Sequence, residues 1–363
     1  LATTSLGAIW CSCALEHGAQ HAIERLVPLA PKVLFTADGY PFAGERHERL
    51  GQVATALAHL PSVEHVIVTG YLDARPEISA LRGARDFAAF GIACAEIEFV
   101  ATPFDHPVYI VFASAAGGPP QGIVHGAGGT LLQHQKEQVL HTDLKRSDRL
   151  CCVTHCDRIT WNWLASALAT GATLVRYEGS PFHPGRAALW RLAESERVTI
   201  FGASAEYFDR LARCGFCPRG SVELAPLKTI FSTGSPLAPQ QYDFIYQCVK
   251  PDVQLASVAA GADILCCVCL GNPVLPVYRG EVQSRGLGMR VEIVDQGNRR
   301  VRGEHGELVC SALIPSMPVG LWDDADGARY RATFFERYPD GWLHRDRAML
   351  TEHDGIVMLG HSA

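Results

Sequence analysis

Between residues 149 and 258, short apolar runs alternate with segments of helix-forming composition, and this alternation restricts the fold more than any other feature of the chain. Strand-like runs fall at 149–154, 172–177, 198–202, 228–232 and 253–258. Helix-like segments lie between them at 161–169, 186–196, 205–214 and 239–249. Strands separated by helical crossovers pair in parallel, and the helices cover the sheet. The expected class is therefore α/β, with mostly parallel, helix-covered sheets. Ligands of such sheets sit beyond the carboxyl ends of the strands, where loops converge. Three segments follow strands and can meet in one cleft: the loop 113–122, Gly234-Ser235-Pro236 and Gly261-Ala262-Asp263.

The flanking regions differ in texture. Before residue 107 two short strands are expected, at 32–36 and 63–69, around a helical segment ending near residue 60. Residues 73–106 carry scattered Pro, Gly and charge and read as a connection. After residue 272 short β runs at 281–284, 289–294, 307–310 and 356–359 are broken by Gly, Asn and Asp, and Asp295-Gln296-Gly297-Asn298 reads as a hairpin connection. The chain is thus read as three parts, 1–106, 107–275 and 276–363, the last a small β unit. Its 363 residues, 48% hydrophobic and 19% charged, form a globular rather than a disordered chain. The net charge of −6, with no basic stripe interleaved with aromatics, speaks against nucleic acid. No apolar run reaches membrane-spanning length, so a cytoplasmic protein is expected.

The stretch 107–140 carries the first chemical hint. An apolar run, Val108-Tyr109-Ile110-Val111-Phe112, is expected as a strand inside the mostly parallel sheet. A loop of small residues follows, and a helix-like segment starts near residue 130. Strand, glycine loop and helix often cradle phosphate, because loop N–H groups converge and the helix N-terminus adds positive potential. Neither common nucleotide-loop pattern is present, so the loop alone reads first as a tight turn.

Further blocks change that reading. Residues 123–134, Ile123-Val124-His125-Gly126-Ala127-Gly128-Gly129-Thr130-Leu131-Leu132-Gln133-His134, resemble the segment after the phosphate loop of the acetoacetyl-CoA synthetase family, within the adenylate-forming acyl-CoA ligases. Leu1-Ala2-Thr3-Thr4-Ser5, Gly179-Ser180-Pro181-Phe182, Ser232-Thr233-Gly234-Ser235-Pro236-Leu237 and Pro315-Ser316-Met317-Pro318-Val319-Gly320 resemble family segments in the same order. The resemblance implies ATP-dependent activation of acetoacetate to an acyl adenylate, then thioester formation with CoA. ATP, Mg²⁺ and CoA are the implied ligands, and the partners are small molecules. The family's small β-barrel-like subdomain would correspond to 276–363. The resemblance also implies a fragment, truncated at its start and lacking the family's C-terminal domain.

The reaction brings two anions together, so cations and hydrogen-bond donors must face the developing charge. By resemblance, Ser114, Gly117 and Gly118 belong to the phosphate loop. There Ala115, Ala116 and Gly117 replace a family Gly-Thr-Thr, and Gln121 replaces a Lys. Gly234, Ser235 and Pro236 correspond to the adenine-contacting turn, and Asp346 of Trp342-Leu343-His344-Arg345-Asp346 to the ribose-binding acid. Asp263 corresponds to the Mg²⁺-binding acid, with Ala262 in place of a Thr. Arg345 replaces a Gly, and His361 and Ala363 replace an Arg and an Asp. Trp161 and Gly261 mark the acyl pocket. These substitutions point to impaired chemistry. One rival reading is a non-catalytic remnant with weak nucleotide binding.

Thirteen cysteines supply the other rival, a thiol or zinc module built on Cys214-x-x-Cys217 and Cys266-x-x-Cys269. The long gap between the two pairs and the apolar setting of the second make zinc unexpected there. Cys266, Cys267 and Cys269 read as buried free thiols, and the odd count argues against a disulfide framework.

Overall fold

The computed structural model describes residues 1–91, 96–113, 119–339 and 341–362. The helices α1 (Ala2–Ser5) and α2 (Gly18–Leu26) lead into β1 (Val33–Ala37) and a hairpin of β2 (Gly39–Phe42) and β3 (Glu45–Glu48). Then come α3 (Leu50–Leu57) and β4 (His65–Thr69). Strands β1 and β4 pair in parallel, and Val66 and Val68 meet Val53, Leu57 and Leu60 in a core. A third strand, β5 (Ala84–Asp86), lies within the segment read as a connection. Its three residues are too few, and two are charged, so no alternation announces it.

The strand β6 (Pro107–Ala113) corrects a sequence expectation. It pairs antiparallel with β7 (Gln121–Gly126), in a small sheet whose far edge is Gly320–Leu321. Only seven residues separate Ala113 from Gln121. A parallel crossover needs a dozen or more, so these neighbours must run antiparallel. A single parallel bridge joins Tyr109 to Trp10. The order is therefore strand, loop, strand, then α4 (Ala127–Lys136), which continues as a wider π turn through His141.

From residue 149 the predicted alternation is realised. The elements are β8 (Arg149–Cys152), α5 (Ile159–Ala167), β9 (Thr173–Val175), α6 (Ala188–Ser195) and β10 (Ile200–Ser204). They continue with α7 (Ala205–Arg213), β11 (Thr229–Thr233), α8 (Pro239–Phe244) and β12 (Gln254–Ser257). The five strands pair in parallel in the order β12-β11-β10-β8-β9. Successive residues point to opposite faces. Phe201, Ile230 and Leu255 pack with Trp190 of α6, Phe208 and Leu211 of α7 and Ile245 after α8. Their neighbours Ile200, Phe231 and Ala256 pack on the other face with Leu164 and Ala167 of α5. Burial on both faces explains the continuous apolar runs.

Beyond it lie β13 (Ala259–Gly261), β14 (Cys266–Leu270) and β15 (Ser284–Arg285), joined antiparallel. The last part holds β16 (Val291–Val294), β17 (His305–Cys310), β18 (Gly320–Leu321), α9 (Ala328–Phe335), β19 (Trp342–Leu350) and β20 (Ile356–His361). Four of these strands form an antiparallel sheet, β16-β17-β19-β20, and among the described residues no pairing closes it into a barrel. The connection at 295–298 is a turn in which Asp295 Oδ1 accepts from the N–H groups of Gly297 (2.8 Å) and Arg299 (2.9 Å).

Cysteine needs a second correction. Cys217 and Cys248 form a disulfide, 31 residues apart. The Arg219 N–H donates to the Cys248 carbonyl at 2.8 Å and holds the two segments side by side, a proximity that spacing in the sequence does not reveal. Among the described residues no helix is long and apolar enough to cross a membrane.

Candidate functional site

The site grows from the carboxyl end of the five-stranded sheet. Ser232 of β11 stands opposite Ser257 of β12, and the Val258 N–H donates to the Ser232 carbonyl at 2.8 Å. Just past this register β11 releases the turn Gly234-Ser235-Pro236, and β12 passes through β13 to Gly261 and Asp263. All three turn residues are exposed, and buried Leu237 anchors the segment behind them. The adenine-turn candidate and the acid candidate thus leave one sheet edge on neighbouring strands.

The β19 strand brings in the remaining groups. The His344 side chain is 5% exposed, with Nε2 at 3.3 Å from Asp346 Oδ2. On the other oxygen, His361 Nδ1 stands at 2.6 Å from Asp346 Oδ1, and His361 itself is 93% exposed. Burial raises the Asp263 carboxyl above the ordinary carboxylate range, while the nearby His344 and Arg345 pull it down. His344 therefore neighbours both candidate acids. Its approach depends on Gly261: a Cβ there would stand 2.7 Å from His344 Cε1. Arg345, where the resemblance has Gly, adopts a left-handed φ of +63°. Its guanidinium turns away and donates to the Thr333 carbonyl at 2.7 Å, so its bulk lies on α9 rather than over Asp346.

A largely apolar cavity adjoins this edge, bounded by Trp163, Phe231, Thr233, Val258, Ala260 and Leu265. Of the two pocket candidates from the sequence, neither Trp161 nor Gly261 lines it. The Trp161 ring instead lies under the Arg176 guanidinium, 4.3 Å from ring centroid to Cζ. Trp163, two residues on, faces the cavity, as opposite helix faces require.

Sequence reasoning missed the polar floor of this cavity. Glu137 is fully buried and accepts from Gln133 Nε2 (2.8 Å), the Cys267 N–H (2.8 Å) and Trp163 Nε1 (3.1 Å). Burial raises its carboxyl, with Lys136 opposing. His134 sets Nδ1 at 2.8 Å from Ser166 Oγ and donates from Nε2 to the Leu265 carbonyl at 3.0 Å. It thereby ties α4 to α5 and to the segment just after Asp263. Burial pushes its imidazole down to about 4. His141 accepts from the Leu287 N–H at 3.0 Å and donates to the Gly271 carbonyl at 2.8 Å. A signal was present: Gln133, His134, Glu137, Gln138 and His141 share one helical face.

Ser114, Ala115, Ala116, Gly117, Gly118 and Ala363 lie outside the described residues. Gln121 opens β7 opposite Ala113. The two cysteine pairs are not brought together as one centre: Cys217 is in the disulfide and Cys214 is exposed, while Cys266 and Cys269 are buried in β14 and Cys267 is half-buried.

The chain is similar to known proteins along its whole length. It is 45% identical to an acetoacetyl-coenzyme A synthetase of Rhizobium meliloti (strain 1021) over 364 residues, all of this chain and 56% of that protein. Against an acetoacetyl-CoA synthetase of Rattus norvegicus the identity is 39% over 370 residues, covering 55% of the relative. The solved acetoacetyl-CoA synthetase from Streptomyces lividans superposes with a TM-score of 0.93 at 36% identity, over 99% of this chain and 56% of that one. The chain therefore spans about half the length of the relatives it matches. The AMP-binding enzyme family model matches residues 1–313. With that match covering most of its length, the chain belongs to the AMP-binding enzyme family.

Proposed function

We propose that this chain is the nucleotide-binding, acetoacetate-activating part of an acetoacetate–CoA ligase, in which adenosine recognition is kept and the grip on the β- and γ-phosphates is weakened. The observation that carries this reading is the approach of His344 to Asp346 (3.3 Å) and to Gly261, two residues before Asp263, at the sheet edge that also releases Gly234-Ser235-Pro236. Asp346 accepts hydrogen bonds from the ribose hydroxyls, and the exposed His361 swings aside to admit them. The turn 234–236 lies along the adenine. The cavity beside Trp163 takes the short acyl chain. Asp263, a desolvated carboxylate, is a hard oxygen donor that suits Mg²⁺, which commonly uses one or two carboxylates plus substrate phosphates. The metal would offset phosphate charge, and Asp263 would hold it. CoA is the acceptor thiol, the partners are small molecules, and the compartment is the cytoplasm. The functional parts are 1–106, 107–275 and 276–363.

The weakened grip follows from residue chemistry. Ala116 and Ala262 lack hydroxyl donors, Gln121 lacks a cation, and His361 lacks the guanidinium fork. Removing a single transition-state donor typically costs about 10²–10³ in rate. The test is equilibrium binding of AMP to the chain and to Asp346→Ala. Binding is expected for the first and a loss of about tenfold or more for the second, the scale of a lost charged hydrogen bond. AMP affinity unchanged by Asp346→Ala, or no AMP binding at all, would overturn the reading.

A further inference from the structure

Outside the nucleotide site, three metal-ligating side chains converge where the N-terminal part meets the sheet. His17 ends the short 3₁₀ turn that opens α2, and His21 lies four residues on, so one helical face carries both. Their rings stack with centroids 4.3 Å apart. Asp157, in the loop between β8 and α5, reaches the same point, its Oδ2 3.2 Å from His17 Nε2. One nitrogen from each histidine and one Asp157 oxygen all lie within 4.8 Å of one another. The other oxygen, Asp157 Oδ1, is buried without a hydrogen-bond partner. The neighbouring carboxylate, Glu16, is already engaged by His155 at 3.5 Å.

We propose that His17, His21 and Asp157 form a binding site for a divalent transition metal, with zinc the best fit. Two imidazoles and one carboxylate are a borderline donor set suited to zinc, whereas Mg²⁺ and Ca²⁺ want oxygen ligands throughout. Tetrahedral zinc with bonds of about 2.0–2.1 Å places its ligand atoms roughly 3.3 Å apart. The present spacing needs only a modest contraction, which the exposed His17 ring can make by rotating. Water completes the shell on the solvent side. Metal here would tie α2 to the loop that feeds α5, the helix carrying Trp163 to the cavity wall.

The test uses the whole chain, stripped with chelator and titrated with Zn²⁺ against a chromophoric competitor. One equivalent should bind. His21→Ala and the near-isosteric Asp157→Asn should each weaken binding by at least about 10–100-fold, the range seen when even a ligand's outer partner is removed. Cys214→Ser should change nothing, and Mg²⁺ in excess should not compete. Unchanged apo unfolding midpoints in the two variants would show that the fold is kept; Asp157→Asn carries the test should His21→Ala lower its own. Co²⁺ loading should give weak visible bands without the intense thiolate-to-metal absorption. Zinc binding indifferent to both substitutions, a thiolate band from Cys13 or Cys156, or no stoichiometric zinc at all would overturn the proposal.

Discussion

Replacing His134 with glutamine should remove a large part of the chain's sensitivity to acid. The imidazole is 1% exposed, and its ordinary value of 6.5 is pushed down to about 4 by burial, the leading cause, with the Lys136 charge adding to it. The sign follows from proton counting. Above pH 6.5 neither state binds a proton at this position, and no stability is at stake. As pH falls from 6.5 towards 4 the unfolded chain takes up a proton that the folded chain refuses, so stability drops. Each pH unit costs 1.36 kcal/mol, so the whole interval is worth about 3 kcal/mol, and the loss levels off below pH 4. The glutamine amide would still donate to the Leu265 carbonyl but cannot titrate. Guanidinium denaturation of both proteins between about pH 7 and 4.5 should show the gap between their stabilities shifting by about 2–3 kcal/mol in favour of the variant. Other titrating groups cancel in that difference. Parallel stability curves would refute the burial argument, as would an imidazole NMR signal titrating near 6.5.

Further outcomes follow from the same structure. Gly261→Ala should cost about 1–3 kcal/mol by overpacking, and it should weaken AMP binding, because the new methyl displaces His344 from its place beside Asp346; unfolding and binding measured together would check both. Alkylation of the native chain should label Cys214 quickly and spare Cys266 and Cys269 until denaturant is added, as mass spectrometry would read. Restoring the loop with Ala116→Thr and Gln121→Lys should strengthen ATP binding more than AMP binding, since only ATP carries the β- and γ-phosphates; equal gains for both nucleotides would contradict it.

The five-stranded sheet was legible because its strands are buried on both faces and separated by helices, a pattern that period and length alone distinguish. The pairing of β6 was not, because an apolar run looks the same in either direction and the loop length that decides the matter was read for its chemistry instead. Helix α4 reverses the usual rule. It buries Gln133 and His134, with Glu137 just past its end, and leaves Leu131 and Leu132 about half exposed, so an apolar-face argument points the wrong way. The candidate acids Asp263 and Asp346 rest on motif resemblance, and His344 stood in the same motif as Asp346, but the motif gave no sign of where its ring packs. Its role depends on a contact with Gly261, 83 residues away in the chain.

The central claim, that adenosine recognition has outlasted phosphate grip, is tested most directly by comparing the dissociation constants of ATP and AMP for this chain in the presence of Mg²⁺. The expected result is that both bind and that ATP binds no more than about threefold tighter, since 1.4 kcal/mol of added phosphate contact would already give tenfold. ATP binding tenfold or more tighter than AMP would contradict the claim and assign a working phosphate site to a loop that lacks the hydroxyls and the lysine.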